Sequence, residues 1–103
     1  MTKESLKELI LTLEKIQLVL IQEGEQEWVY GISSIKRRLT DINIDSPDFK
    51  KEFKSVQLSY LNMTNGAGSF SDVMIWRSNV EDRIKVNKDF NALTKKTWEL
   101  FEL

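Results

Sequence analysis

The sequence predicts a single, mainly helical domain built as a bundle of about four helices. Apolar residues recur every three or four positions along most of the chain, helix-start signals precede two of these runs, and a glycine-rich segment interrupts them. A chain of 103 residues is long enough for one hydrophobic core, so residues 1–103 are expected to form one helical domain.

The first helix is expected over residues 5–22. Ser5 and Glu8 have the spacing of a capping box, in which two side chains bind free amides at the helix start. Gly24 suits the left-handed conformation that commonly follows a helix. The stripe expected to face the core comprises Leu6, Leu9, Leu13, Ile16 and Leu20.

Leu11 and Leu18 lie seven residues apart on nearly the opposite face of this helix. A helix that is apolar on two sides is buried on two sides. Either the helix is central in the domain, or its second face meets a partner. The second alternative includes self-association through Leu11 and Leu18, which would give a homodimer.

The second helix is expected over residues 25–39, with Glu25 in the first turn, where the helix dipole favours a carboxylate. Gly31 lies inside this helix at a cost of about 1 kcal/mol relative to alanine. That cost indicates the close approach of another element. The expected core stripe is Trp28, Ile32, Ile35 and Leu39.

The third helix is expected to begin at residues 46–48, where serine, proline and aspartate form a strong start signal, and to end before Asn65. Its core face should comprise Phe49, Phe53, Val56, Tyr60 and Met63.

Residues 64–86 are irregular by pattern. The apolar run at residues 73–76 fits either a short β-strand or a buried turn of helix, and periodicity does not decide between them. The last helix is expected to start after Asn87. Its inward residues would be Phe90, Leu93, Thr97 and Phe101. Trp28, Trp76 and Trp98 are expected in the core or at its edge, with at least one at an interface.

The composition excludes several kinds of chemistry. The chain has neither histidine nor cysteine, so it lacks the usual general base near neutral pH and any thiolate. We therefore expect no enzyme activity, no catalytic residue and no cofactor. A formal net charge of −1 predicts no overall attraction to nucleic acid or to a membrane surface. No apolar run is long enough to span a bilayer, and a cytoplasmic protein is expected.

Residues 41–52 place oxygen-bearing side chains at positions one, three, five and twelve, as in a calcium-binding loop. Ser46 stands where the sharp turn of such a loop requires glycine, and Pro47 already begins a helix. We expect an interhelical loop and no metal site at the four positions, which are Asp41, Asn43, Asp45 and Glu52.

The glycine-rich segment at residues 64–72 could be compared with a phosphate-binding loop. It lacks the Lys-Ser or Lys-Thr pair of a P-loop, and Asp72 would repel phosphate. A tight connector in which Ser71 or Asp72 caps the following residues is expected. A second candidate for anion binding is a set of basic residues interspersed with acids, for which a solvated helix face is expected rather than a nucleic-acid site. This set is Lys36, Arg37, Arg38, Lys50, Lys51 and Lys54.

Two short motifs resemble those of a family of small bacterial helical proteins. The chain carries Gly-Glu-Gln-Glu-Trp at residues 24–28, Gly-Ala-Gly-Ser-Phe-Ser-Asp at residues 66–72, and Asn87 before a closing helix. The family pattern is Gly-Glu-x-x-Trp, then Gly-Gly-x-Gly-Ser-(Leu or Phe)-x-Asp, then a terminal helix near an Asn. Asn65 stands where the family usually has glycine. The resemblance implies that the signature positions are Glu25, Trp28, Gly66, Gly68, Ser69 and Asp72.

These signature positions have a structural interpretation. Glu25 would accept hydrogen bonds from amides of the glycine loop, Asp72 would do so within its own turn, and Trp28 would pack over Gly66 or Gly68. The motif would then hold the scaffold together, and the functional surface would lie elsewhere.

The family has no established activity to carry over, but some members resemble immunity proteins encoded beside secreted bacterial toxins. The resemblance therefore implies a protein-binding module, most specifically one that binds and neutralises a cognate bacterial toxin. The alternative is a small intracellular adaptor or a homo-oligomeric structural protein, for which the second apolar face at Leu11 and Leu18 is the supporting feature.

Overall fold

A computed structural model describes residues 1–66 and 68–103. Within these residues the chain forms four α-helices and one 3-10 turn, without strand pairing. The helices are α1 (Lys3–Gln22), α2 (Gln26–Asp41), α3 (Phe49–Thr64) and α4 (Val80–Leu100), and the 3-10 turn is Phe70–Asp72. The prediction of a mainly helical bundle with about four helices is confirmed.

Helix α1 packs on both α2 and α4, and α3 packs on α2. The inward stripe of α1 is buried as predicted, and the core stripe of α2 contributes Ile32, Ile35 and Leu39. Gly31 also has the predicted close neighbour. A Cβ atom at this position would lie 3.1 Å from Cε of Met63 on α3, so α2 and α3 approach closely here.

Aromatic rings connect α3 to α4. Phe101 at the end of α4 packs against Phe53 and Tyr60 of α3, with ring centroids 5.9 and 5.0 Å apart. Tyr60 also contacts Phe70 at 6.2 Å, and Phe70 contacts Phe90 of α4 at 6.1 Å. These five rings, the aromatic ladder, are all buried. They fill the space between the two helices.

The predicted cap of α1 is wrong by one turn. Thr2, in an extended conformation, is the N-cap, and its hydroxyl accepts a hydrogen bond from the Ser5 amide at 3.0 Å. The Ser5 hydroxyl accepts one from the Thr2 amide at 2.9 Å. Ser5 therefore takes the third helical position, which the prediction assigned to Glu8. Gly24 follows the helix with φ +72°, as expected.

The predicted start of α4 is also wrong, because the helix begins at Val80 and Asn87 lies inside it. Asn79 is the N-cap, and its side-chain oxygen accepts a hydrogen bond from the amide of Asp82 at 3.0 Å. The apolar run at residues 73–76 belongs neither to a helix nor to a paired strand. It crosses the surface as an irregular segment between the 3-10 turn and α4.

Candidate functional site

The glycine loop is closed by its own polar side chains. A carboxylate oxygen of Asp72 accepts a hydrogen bond from the Gly68 amide at 2.6 Å, as the sequence predicts for this turn. The hydroxyls of Ser69 and Ser71 donate to the carbonyl oxygen of Thr64 at 3.1 and 2.8 Å. Since Thr64 is the last residue of α3, these hydroxyls satisfy a carbonyl that the helix itself leaves without a partner.

The glycines of this loop are needed for their backbone conformation, and not because another residue packs closely against them. Gly66 and Gly68 have φ values of +87° and +74°, and a Cβ atom at either would meet nothing within 4 Å. The prediction that Trp28 packs over these glycines is therefore wrong. Trp28 packs instead against Phe70, with ring centroids 5.7 Å apart, because this ring is the apolar surface that the loop offers.

Replacing Gly68 with valine is expected to lower the free energy of unfolding by about 1–3 kcal/mol, because a β-branched residue is strained at positive φ. Gly68→Asn should lower the free energy of unfolding by a smaller amount, since asparagine tolerates the left-handed conformation. Urea denaturation followed by circular dichroism measures both variants. An unchanged stability for the valine variant would contradict the proposed role of Gly68.

Five of the six signature residues surround one shallow depression of about 240 Å³. Glu25 lies at the N-cap position of α2, and its carboxylate makes no hydrogen bond with residues 1–66 or 68–103. The predicted hydrogen bonds from amides of the glycine loop to Glu25 are therefore not formed within the described residues. Gly66 is the signature position that lies outside this lining. The signature residues that line the depression, beside Val73 and Met74, are Glu25, Trp28, Gly68, Ser69 and Asp72.

A side-chain clamp holds the irregular segment on α4. The side-chain oxygen of Asn87 accepts a hydrogen bond from the Ile75 amide, and its nitrogen donates to the Ile75 carbonyl, both at 2.8 Å. The same nitrogen donates to the carbonyl of Arg83. Ile75 is thereby buried at 3% exposure, while its neighbours Met74 and Trp76 point to solvent.

The end of this segment is fixed to α1. The guanidinium of Arg77 forms two hydrogen bonds with the carboxylate of Glu23, at 2.6 and 2.9 Å. These bonds lower the pKa of Glu23 and raise the pKa of Arg77, so that both groups are held in their charged forms.

An exposed apolar surface results at this end of the bundle. Trp76, which was expected in the core or at its edge, is 65% exposed, and the guanidinium of Arg83 lies over its ring at 4.4 Å from the centroid. Val80 and Ile84 are one helical turn apart on α4 and are also exposed. We call Met74, Trp76, Val80, Arg83 and Ile84 the Trp76 surface.

The sequence interpretation missed most of the Trp76 surface. It treated residues 80–86 as irregular, so the spacing of Val80 and Ile84 along a helix was not recognised. The signal was present, because Asn79 followed by Glu81 and Asp82 is a helix start.

The second face of α1 is exposed. Leu11 is 48% and Leu18 is 54% exposed, and Ile21 on the same side is 53% exposed. Although α1 packs on both α2 and α4, the expectation that a central position buries Leu11 and Leu18 is therefore wrong. Self-association through this face remains a hypothesis.

Several of the remaining candidate positions are paired with other residues of the chain. In the loop between α2 and α3, the side-chain oxygen of Asn43 accepts from the amide of Asp45, whose carboxylate pairs with Lys3 at 3.2 Å. The expectation of no calcium site there stays a prediction. From the basic set, Arg38 donates to the hydroxyls of Ser55 and Ser59 at 2.8 Å and joins α2 to α3.

Compared with models of protein families, curated protein sequences and solved structures, the chain shows no significant match. The resemblance of its two motifs to a bacterial family therefore stays a prediction. In the part of the chain that the structure describes, no helix combines the length and apolar character needed to cross a membrane.

Proposed function

We propose that the chain is a protein-binding module that neutralises a cognate bacterial toxin, and that the toxin docks on the Trp76 surface. The observation that carries this proposal is the exposure of Trp76, 65%, with the Arg83 guanidinium stacked on its ring. Tryptophan and arginine are the residue types that most often dominate binding energy at protein interfaces. The choice of a toxin as the partner rests on the motif resemblance.

Side-chain hydrogen bonds on both sides of Trp76 hold the backbone of the Trp76 surface in place. The Asn87 clamp and the Arg77–Glu23 pair fix the segment on either side of Trp76, so an incoming partner would meet an ordered aromatic side chain. Little conformational entropy would then be lost at this position on binding. Val80 and Ile84 extend the apolar area along α4.

Trp76→Ala is expected to weaken toxin binding by roughly 30-fold or more, which corresponds to about 2 kcal/mol for an interface hot spot. The chain would be co-expressed with the product of the neighbouring gene, in cells whose growth that product arrests. Wild type should restore growth and co-purify with the toxin, and the variant should do neither. Calorimetry on the purified pair gives the change in Kd.

Tyr30→Ala is the matched control, because Tyr30 is an aromatic residue on α2 that is 70% exposed. This variant should protect the cells as well as wild type does. Equal protection by both variants would exclude the Trp76 surface. A wild type that neither binds nor protects would overturn the proposal of immunity.

A second candidate, a homodimer, is favoured by the exposed face of α1. A two-fold axis between residues 14 and 15 would set Leu11 opposite Leu18 of a second copy in an antiparallel helix pair. The same axis would set Glu14 opposite Lys15 of that copy, so apolar and charged contacts would be satisfied together.

If this second candidate is correct, the double substitution Leu11→Glu/Leu18→Glu should convert a dimer into a folded monomer in sedimentation experiments. Both side chains are about half exposed in the single chain, so the substitutions bury no charge in its core. Leu58→Glu on α3, at 47% exposure, is the control and should remain dimeric. A wild type that is monomeric at high concentration would exclude the homodimer.

A further inference from the structure

A groove of about 410 Å³ opens between α3, the 3-10 turn and α4, on residues that the Trp76 surface does not include. Three rings of the aromatic ladder, those of Tyr60, Phe70 and Phe90, form its buried wall, and Trp98 stands half-exposed beside them. A cavity of this size, with aromatic rings on one wall and polar side chains around them, has the character of a small-molecule site.

The hydroxyl of Tyr60 supplies a polar group inside this groove. Tyr60 is 1% exposed and lines the groove, yet its hydroxyl has no hydrogen-bond partner among residues 1–66 and 68–103. Because this hydroxyl lies on the wall of the groove, a ligand acceptor inside the groove would take its proton in a hydrogen bond. Burial raises the pKa of Tyr60 above 10.0, which keeps the hydroxyl protonated and able to donate.

The charge of the groove selects the sign of the ligand. Of the described residues that line it, Lys95 is the one with a charged side chain, and none is acidic. The side-chain amide of Asn91 adds a neutral group that can donate hydrogen bonds, whereas the hydroxyls of Thr64 and Thr94 already donate to the carbonyls of Leu61 and Asn91. An anion is therefore favoured over a cation.

We propose that the groove binds a small aromatic carboxylate. Its ring would stack among Phe70, Phe90 and Trp98, and its carboxylate would accept hydrogen bonds from the Tyr60 hydroxyl and the Lys95 ammonium. This site is independent of the proposed toxin-binding function.

Two fluorescent probes with the same aromatic body separate the charge from the apolar contribution. 8-Anilinonaphthalene-1-sulfonate carries an anionic group, and N-phenyl-1-naphthylamine lacks it. Lys95→Met is expected to weaken binding of the anionic probe roughly fivefold, as for the loss of an exposed charge contact. Binding of the neutral probe should stay unchanged. Tyr60→Phe, which removes the hydroxyl alone, should weaken the anionic probe roughly tenfold.

Lys88→Met is the control, because Lys88 is an exposed lysine on the same helix outside the groove lining. It should bind both probes as wild type does, and so should Trp76→Ala. Circular dichroism would check that every variant is folded. Equal effects of the two lysine variants, loss of binding in Trp76→Ala alone, or no saturable binding of the anionic probe to wild type would overturn the proposal. None of these results bears on toxin protection, which Trp76→Ala and Tyr30→Ala test separately.

Discussion

Phe70→Ala is expected to lower the free energy of unfolding by about 3–5 kcal/mol, the range for removing a buried aromatic side chain. Phe70 is 2% exposed and contacts the rings of Trp28, Tyr60 and Phe90. Its loss leaves a cavity where α2, α3 and α4 meet. Urea denaturation followed by circular dichroism measures the change.

Phe49→Ala is the matched comparison for this prediction. Phe49 is partly buried and stacks on Phe53 with centroids 5.6 Å apart, near the start of α3. Phe49→Ala should lower the free energy of unfolding clearly less than Phe70→Ala does, because the site that it leaves is open to water. Equal losses in the two variants would show that Phe70 is not the centre of the aromatic packing.

Asn87→Leu is expected to lower the free energy of unfolding by about 2–4 kcal/mol, because it leaves the amide and the carbonyl of Ile75 without their partners. The substitution keeps the side-chain volume nearly unchanged. The irregular segment should then detach from α4, and the intrinsic fluorescence, to which Trp76 contributes together with Trp28 and Trp98, should change with it. Denaturation measurements give the stability of the variant.

Asn91→Ala tests whether the loss belongs to the clamp. Asn91 lies one turn further along α4 and is exposed, so its removal should change stability by less than about 0.5 kcal/mol. A small loss for Asn87→Leu, similar to that of Asn91→Ala, would mean that the clamp contributes little to the fold.

The first three helices could be predicted because each carries local signals for its core face and at least one of its ends. Helix α4 was recognised only in its second half. Val80 and Ile84, in its first turns, face solvent, so the apolar residues there do not mark a core-facing stripe. The cap residue Asn79 was the local signal that could have located its start.

Less of the candidate site than of the fold could be predicted from the sequence. Whether Trp76 is buried depends on Ile75, which is held inward by Asn87 twelve positions away. No local pattern contains that contact. The polar contacts inside the glycine loop involve close neighbours, and the one between Asp72 and Gly68 could be predicted from spacing.

The position of α4 against α1 has a consequence for how the chain folds. Helices α1, α2 and α3 pack on their neighbours in the sequence, so these pairs can form with short loops between them. Bringing α4 onto α1 closes a loop that spans more than half of the chain, and this closure carries the larger entropy cost. The Arg77–Glu23 and Lys96–Glu8 pairs form only when that loop closes. Docking of α4 is therefore the step expected to limit the folding rate, and it completes the core on which α1 depends.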